Sequence, residues 1–184
     1  QLFLNLVENK ILRVFMGLLK QRLQDEAIII SDSIIKVDSF LNHKIDPLLM
    51  EKIALEFCTR FADKSFTKIL TIEASGIAPA VITGLKMGIP VVFAKKAKPS
   101  TMTEFLTARV HSFTKDKDYN IYVSEGFIVK GDRILIIDDF LAHGSATRGL
   151  ISIAEQCGAK VEGIGIIVEK GFQNGGSILR GLGY

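Results

Sequence analysis

The segment 133–147, RILIIDDFLAHGSAT, restricts the fold of this chain more than any other. It opens with RILII at 133–137, almost wholly apolar, as a parallel strand covered on both faces requires. Two adjacent acids, Asp138 and Asp139, follow at the strand's carboxyl end. Ionised acids at a core edge have to be paired, hydrated, or bound to a cation or to ligand hydroxyls. Ala142, His143, Gly144, Ser145, Ala146 and Thr147 then run, small and flexible, into the start of a helix. Backbone N–H groups at a helix N-terminus point outward unpaired and favour an anion. Ser145 and Thr147 add hydroxyl donors, and Gly144 lets the backbone wrap closely around the anion. Open α/β sheets bind ligands outside the carboxyl ends of their strands. One segment thus offers a diol or Mg2+ partner beside a phosphate cradle, which matches a sugar phosphate. Neither the Walker pattern nor the dinucleotide GxGxxG fingerprint occurs.

The remaining chain repeats the strand, loop, helix order that βαβ crossovers need. KILTI at 68–72 reads as a central strand ending in Glu73, Ala74, Ser75 and Gly76, with a helix over 77–86 behind it. IPVVFA at 89–94 is the next strand, after Gly88 at the helix end, and VEGIGIIV at 161–168 is the last. A helix over 147–157 lies between the acid pair and that last strand. Asp46 as N-cap and Pro47 at the first helical position open another, with Leu48, Leu49, Ile53, Phe57 and Phe61 as its packed face. Residues 108–113 and 119–123 can pair as a hairpin around a wet turn at 115–118. Polar residues 95–107 show no firm period, and such loops tend to be functional. The architecture read from this order is α/β, an open, mainly parallel sheet with helices on both faces.

Composition narrows the function. The 184 residues suffice for one core, and 48% apolar with 23% charged residues exclude disorder. A net charge of +3, with Lys95, Lys96 and Lys98 as the densest cluster, is too mild for a nucleic-acid face but enough for a small anionic substrate. Cys58 and Cys157 form no CxxC and read as reduced, buried thiols; His43, His111 and His143 lack metal-ligand spacing, so no protein metal site is expected. Residues 1–23 read as an amphipathic helix whose charges, Glu8, Lys10, Arg13 and Lys20, forbid a membrane span. No secretory signal is evident, which points to the cytoplasm. The division expected is an N-terminal extension over 1–26 and a single domain over 27–184.

The segment 134–147 closely resembles the phosphoribosyl pyrophosphate-binding motif of the type I phosphoribosyltransferases: apolar strand, two acids, two apolar residues, then a small-residue loop with Gly and Thr. The resemblance runs over roughly 28–170. VDSFLNH at 37–43, TIEASGIAPA at 71–80, PVVFAKK at 90–96 and IDDFLAHG at 137–144 are similar to the bacterial xanthine phosphoribosyltransferases. Where the commonest version of the motif has Thr before the Gly, this chain has His143. Gly175-Gly176 reads as a looser loop than the resemblance implies, and the chain stops at Tyr184 before a last strand is complete.

The resemblance implies transfer of the 5-phosphoribosyl group from phosphoribosyl pyrophosphate to xanthine. In that reading Asp138 and Asp139 hold the ribose hydroxyls, and the loop from Ala142 to Thr147 holds the 5-phosphate. Glu73, Ala74, Ser75 and Gly76 become the pyrophosphate loop; the residues alone leave Ser75-Gly76 between an ordinary turn and a second anion site. Lys95 and Lys96 either solvate the surface or neutralise departing pyrophosphate, Lys96 counting with the acid pair as catalytic. Residues 100–103 would then be a lid. Lys170 and Phe172 would contact the purine, and the resemblance places Ile35 and Asn42 in a small hood, built from 27–44 and 168–184, over the base. Hypoxanthine and guanine enzymes carry an acid where this chain has Ala142, so the proton acceptor is unassigned. Mg2+, bound mainly through phosphoribosyl pyrophosphate, is the implied cofactor, and a homodimer the implied assembly. The alternatives are a guanine or hypoxanthine phosphoribosyltransferase, or a non-catalytic regulator that senses phosphoribosyl pyrophosphate and would bind nucleic acid.

Overall fold

A computed structural model of the chain describes residues 12–14, 17–31, 34–113 and 116–184. Its centre is a five-stranded sheet built from β1 (Leu12–Val14), β4 (Lys68–Ile72), β5 (Val91–Ala94), β8 (Arg133–Leu141) and β9 (Lys160–Lys170), in the order β1-β9-β8-β4-β5. The β9-β8-β4-β5 pairings are parallel, and only the edge strand β1 is antiparallel, setting Leu12 opposite Lys170. Five helices accompany the sheet among the described residues: α1 (Gly17–Glu26), α2 (Pro47–Arg60), α3 (Ile77–Met87), α4 (Ser145–Gln156) and α5 (Gly175–Gly181). Two antiparallel pairs complete it, β2 (Ile28–Ser31) with β3 (Ile34–Lys36), and β6 (Phe105–Ser112) with β7 (Lys117–Ser124). No described helix is long and apolar enough to cross a membrane.

Strand β8 shows why both sheet faces are covered. Ile134 and Ile136 pack with α4 and the β6–β7 hairpin, while Leu135 and Ile137 pack with α1, α2 and the turn at Asp38–Asn42. Side chains alternate across a strand, so an unbroken apolar run needs a layer on each side. Beyond the acid pair that alternation is offset: Phe140 joins the second cluster and Leu141 the first.

Several local expectations change. Within 1–26 the described residues form β1 followed by α1 rather than one continuous helix; residues 1–11, 15 and 16 lie outside the described set. Leu48 is 73% exposed, off the packed face of α2, because it sits in the first turn directly after the Asp46 cap. Asp46 accepts the N–H groups of Leu48 and Leu49 at 3.0 and 3.1 Å, as an N-cap does. Strands β6 and β7 run deeper than the hairpin pattern implies, pairing Phe105 with Ser124 at one end and Ser112 with Lys117 at the other. Cys58 and Cys157 are free and only half-buried, with burial pushing each thiol's pKa up. The Gly175-Gly176 loop is the first turn of a helix, α5.

Candidate functional site

The acid pair lies inside the sheet ladder rather than beyond its end. Strand β8 continues to Leu141, with Asp138 opposite Ile166, Phe140 opposite Val168 and Leu141 opposite Glu169 on β9. Strict alternation would send neighbouring carboxyls to opposite faces. The offset at this point instead lets the two neighbour each other, with Asp139 bearing on the Asp138 carboxyl, and each backbone N–H that follows an acid is taken by that acid's carboxyl, Asp139 N to Asp138 Oδ1 at 3.0 Å and Phe140 N to Asp139 Oδ1 at 2.8 Å. Asp138 is 5% exposed, and burial, then the neighbouring Asp139 carboxylate, push its pKa well above the ordinary carboxylate range, against a lowering pull from Lys96. A buried acid of this kind takes up positive charge or donated hydroxyls readily, because either one relieves a repulsion already present.

Four chain segments meet the carboxyl edge around this pair. From β4, Glu73 and Ala74 are joined by a cis peptide bond, and Ile77 N donates to Ala74 O at 3.2 Å as α3 begins. Gly76 lies against Asp138 and the hydroxyl of Thr71, with no space for a side chain. The carboxylate of Glu73 accepts the backbone N–H of Lys96, so it braces the adjacent loop. From β5, Lys95 exchanges backbone hydrogen bonds with Tyr122 at 2.8 and 2.9 Å, and its ammonium stands 5.5 Å from the Phe93 ring centre, while Lys96 lines a cavity of about 360 Å3 with Ser112, Lys117 and Tyr119. Burial and then Asp138 raise the Tyr119 pKa, which places this phenol on the same side as the acid pair.

The candidate anion loop, 142–147, follows β8. Gly144 adopts φ +71°, a left-handed conformation that turns the chain into α4, and Arg148 N closes the first turn onto Gly144 O at 3.0 Å. Thr147 is 1% exposed. The Ser145 hydroxyl accepts His111 N from the hairpin at 3.0 Å, leaving its own proton free for another acceptor. The His143 ring stacks on Phe113 at 3.9 Å between centres and faces Asn174 Oδ1 at 3.2 Å, so its imidazole is committed to packing. Arg148 Nη1 donates to His143 O at 3.0 Å.

The β6–β7 hairpin is set against this loop; within 100–103, Met102 is buried, and its N–H turns back onto Pro99 O at 3.0 Å. Tyr119, His111, Phe113 and Asn174 escaped sequence reading, because residues this far along the chain come to the acid pair and the loop only through the fold. Lys170 closes β9 with its ammonium 5.6 Å from the Phe140 ring centre; burial lowers its pKa, while Asp139 opposes that. Phe172 is 43% exposed. Ile35 packs against the second core cluster, which includes Phe140, whereas Asn42 is exposed at the end of the Asp38–Asn42 turn, tied by its N–H to Val37 O at 3.4 Å. Among the described residues, no group of three or more His, Cys, Asp or Glu is arranged to hold a metal ion.

The model of the phosphoribosyl transferase domain matches residues 37–174. A curated xanthine phosphoribosyltransferase from Pseudomonas entomophila is 54% identical over 92% of this chain and 90% of its own length. Another, from Bacillus licheniformis, is 54% identical over 90% of this chain and 86% of its own length. Among solved structures, the adenine phosphoribosyltransferase of Saccharomyces cerevisiae superposes with a TM-score of 0.71 at 20% identity, covering 88% of this chain and 94% of that one. That of Thermoanaerobacter pseudethanolicus gives 0.66 at 21% identity, covering 74% and 77%. At such identities the structures establish the fold alone.

Proposed function

The chain belongs to the phosphoribosyl transferase domain family, and we propose that it transfers the 5-phosphoribosyl group of phosphoribosyl pyrophosphate to xanthine, giving xanthosine 5-monophosphate and pyrophosphate. The observation that carries the reading is the meeting of the Asp138–Asp139 pair with the 142–147 anion loop at one sheet edge. Their chemistry fits the ribose hydroxyls and the 5-phosphate of one ligand.

A purine ring nitrogen bonds to the anomeric carbon as the carbon–oxygen bond to pyrophosphate breaks, the leaving group taking the electron pair and the ring N–H proton passing to solvent or to the departing pyrophosphate. The ribose passes through oxocarbenium character, so the site's work is positioning and charge stabilisation. The acid pair holds the sugar, and the N–H groups of the α4 N-terminus with Ser145 and Thr147 hold the phosphate. Backbone groups of Ala74, Ser75 and Gly76 receive pyrophosphate, and Lys96 and Lys95 balance its charge as it leaves. Lys170 and Phe172 contact the purine, with Ile35 and Asn42 on the hood side. The two acids beside the pyrophosphate loop suit Mg2+, held mainly through the substrate's own oxygens because no larger ligand cluster stands among the described residues. Bound there, the ion would neutralise the pyrophosphate.

The reading extends to a homodimer working in the cytoplasm, supported by the family resemblance, and light scattering on the purified protein tests the assembly. A coupled assay for pyrophosphate release across xanthine, guanine, hypoxanthine and adenine tests the substrate. Xanthine should give the highest kcat/KM. A preference for guanine or hypoxanthine would move the reading to that neighbouring activity, and a preference for adenine would remove the roles given to Lys170 and Asn42.

A further inference from the structure

Backbone meets backbone with no clearance where α5 abuts the anion loop. A methyl group added to Gly175 would stand 2.3 Å from Ala142 O and 2.8 Å from Gly144 N, and one on Gly176 would stand 1.9 Å from Glu169 Oε1. Gly175 N donates to Ala142 O at 3.0 Å, and Asn174 Oδ1 faces His143 Nδ1 at 3.2 Å. The segment opening α5 therefore grips the first two residues of the loop from behind. An ion pair seats that segment: Arg180 places Nη2 3.0 Å and Nη1 3.4 Å from the two carboxylate oxygens of Glu169, which is 9% exposed on β9.

We propose that Glu169 and Arg180 are positioning residues for the anion loop, acting through Gly175 and Asn174. The inference rests on the loop being the seat of the 5-phosphate. With the His143 ring taken up by Phe113 and Asn174, that seat is built from backbone N–H groups and the hydroxyls of Ser145 and Thr147, whose aim depends on where Ala142 and Gly144 lie. Leu179, 4% exposed in the first core cluster, keeps α5 attached when the ion pair is lost. The pair's own contribution is then placement: it fixes where the Gly175 N–H sits, and shifts of a few tenths of an ångström matter to a cradle of directed donors.

The test titrates ribose 5-phosphate by calorimetry into wild type, Arg180→Gln, Arg180→Lys and Gly175→Ala, with steady-state kinetics alongside. Arg180→Gln should raise the Kd of ribose 5-phosphate and the KM of phosphoribosyl pyrophosphate about 10-fold, equivalent to about 1.4 kcal/mol, with the KM of xanthine and kcat at saturation within about 2-fold. Arg180→Lys should recover part of the loss, and Gly175→Ala, which presses on the loop directly, should reproduce it. Unchanged ribose 5-phosphate binding in Arg180→Gln and Gly175→Ala overturns the inference while leaving the phosphate seat intact. So does an equal loss in every kinetic constant, the mark of general destabilisation. Wild type failing to bind ribose 5-phosphate overturns the phosphate seat and this inference together.

Discussion

A methyl group placed on Gly76 would stand 3.1 Å from Oδ1 of Asp138, so the proposed pyrophosphate loop passes the proposed ribose clamp with no space for a side chain between them. The same methyl would be 2.3 Å from the hydroxyl of Thr71, which is fully buried. The residue at this crossing thus has to be glycine for want of space.

Gly76→Ala tests that crossing. The substitution should leave the far-ultraviolet circular dichroism spectrum unchanged while lowering kcat/KM for phosphoribosyl pyrophosphate by about 100-fold, the scale set by misplacing a reacting group by about 1 Å. A variant within threefold of wild type would show that the loops tolerate separation.

Replacing both acids, Asp138→Asn with Asp139→Asn, removes the charge of the clamp and keeps its shape. Turnover should fall by about 100-fold or more, a scale seen when one aimed electrostatic contact is lost from a site. Thermal melting should show the fold intact. Unchanged turnover in a folded double variant would remove the clamp from the mechanism.

The single change Asp138→Asn has an opposite consequence for stability. Burial and the Asp139 carboxylate raise the Asp138 pKa in the folded chain, so between the unfolded value of about 3.9 and that raised value the folded state holds the extra proton. Stability contributed by this group is therefore complete at acid pH and declines as pH rises through that window. Without ligand, Asp138→Asn should melt above wild type at neutral pH, with the difference shrinking as pH approaches 4. A difference independent of pH would mean that the carboxyl carries no such strain.

Asp132 shows the reverse sign. Burial would raise its pKa, but the Lys68 ammonium, Val129 N at 2.8 Å and the Thr67 hydroxyl at 2.8 Å outweigh that and hold it below the ordinary range. Its contribution is present above the unfolded pKa and is lost as pH falls through the folded one. Asp132→Ala strands these three donors and should cost about 3 kcal/mol in urea unfolding at pH 7, with little change in KM, because the pair sits at the end of the sheet away from the acid clamp.

Much of the candidate site is legible in the sequence alone. Asp138, Asp139 and the loop 142–147 are contiguous, and their chemistry follows from residue type and from the strand-to-helix turn they occupy. The β4 loop was legible as a place, although Ser75-Gly76 read equally well as a turn. Lys96 could be put at the sheet edge by counting along β5, and the structure adds that it shares a cavity with Tyr119. Tyr119, His111, Phe113 and Asn174 carried no readable signal: His111, Phe113 and Asn174 reach the loop from 30 to 34 positions away, Tyr119 feels Asp138 from another element, and periodicity reports only on neighbours along one element.

The sequence by itself determined the parallel sheet, the order of crossovers and the chemical kind of ligand, because apolar runs, paired acids and a glycine-bearing helix start are local properties. Only the tertiary structure decided that the two carboxyls neighbour each other, since that depends on an offset within β8 between Ile137 and Phe140 that no alternating pattern displays. It also decided that Gly175-Gly176 is a close-packed junction, because the atoms that leave no space there belong to Ala142, Gly144 and Glu169. Contacts between distant segments are set by packing, and packing is a property of the folded chain as a whole.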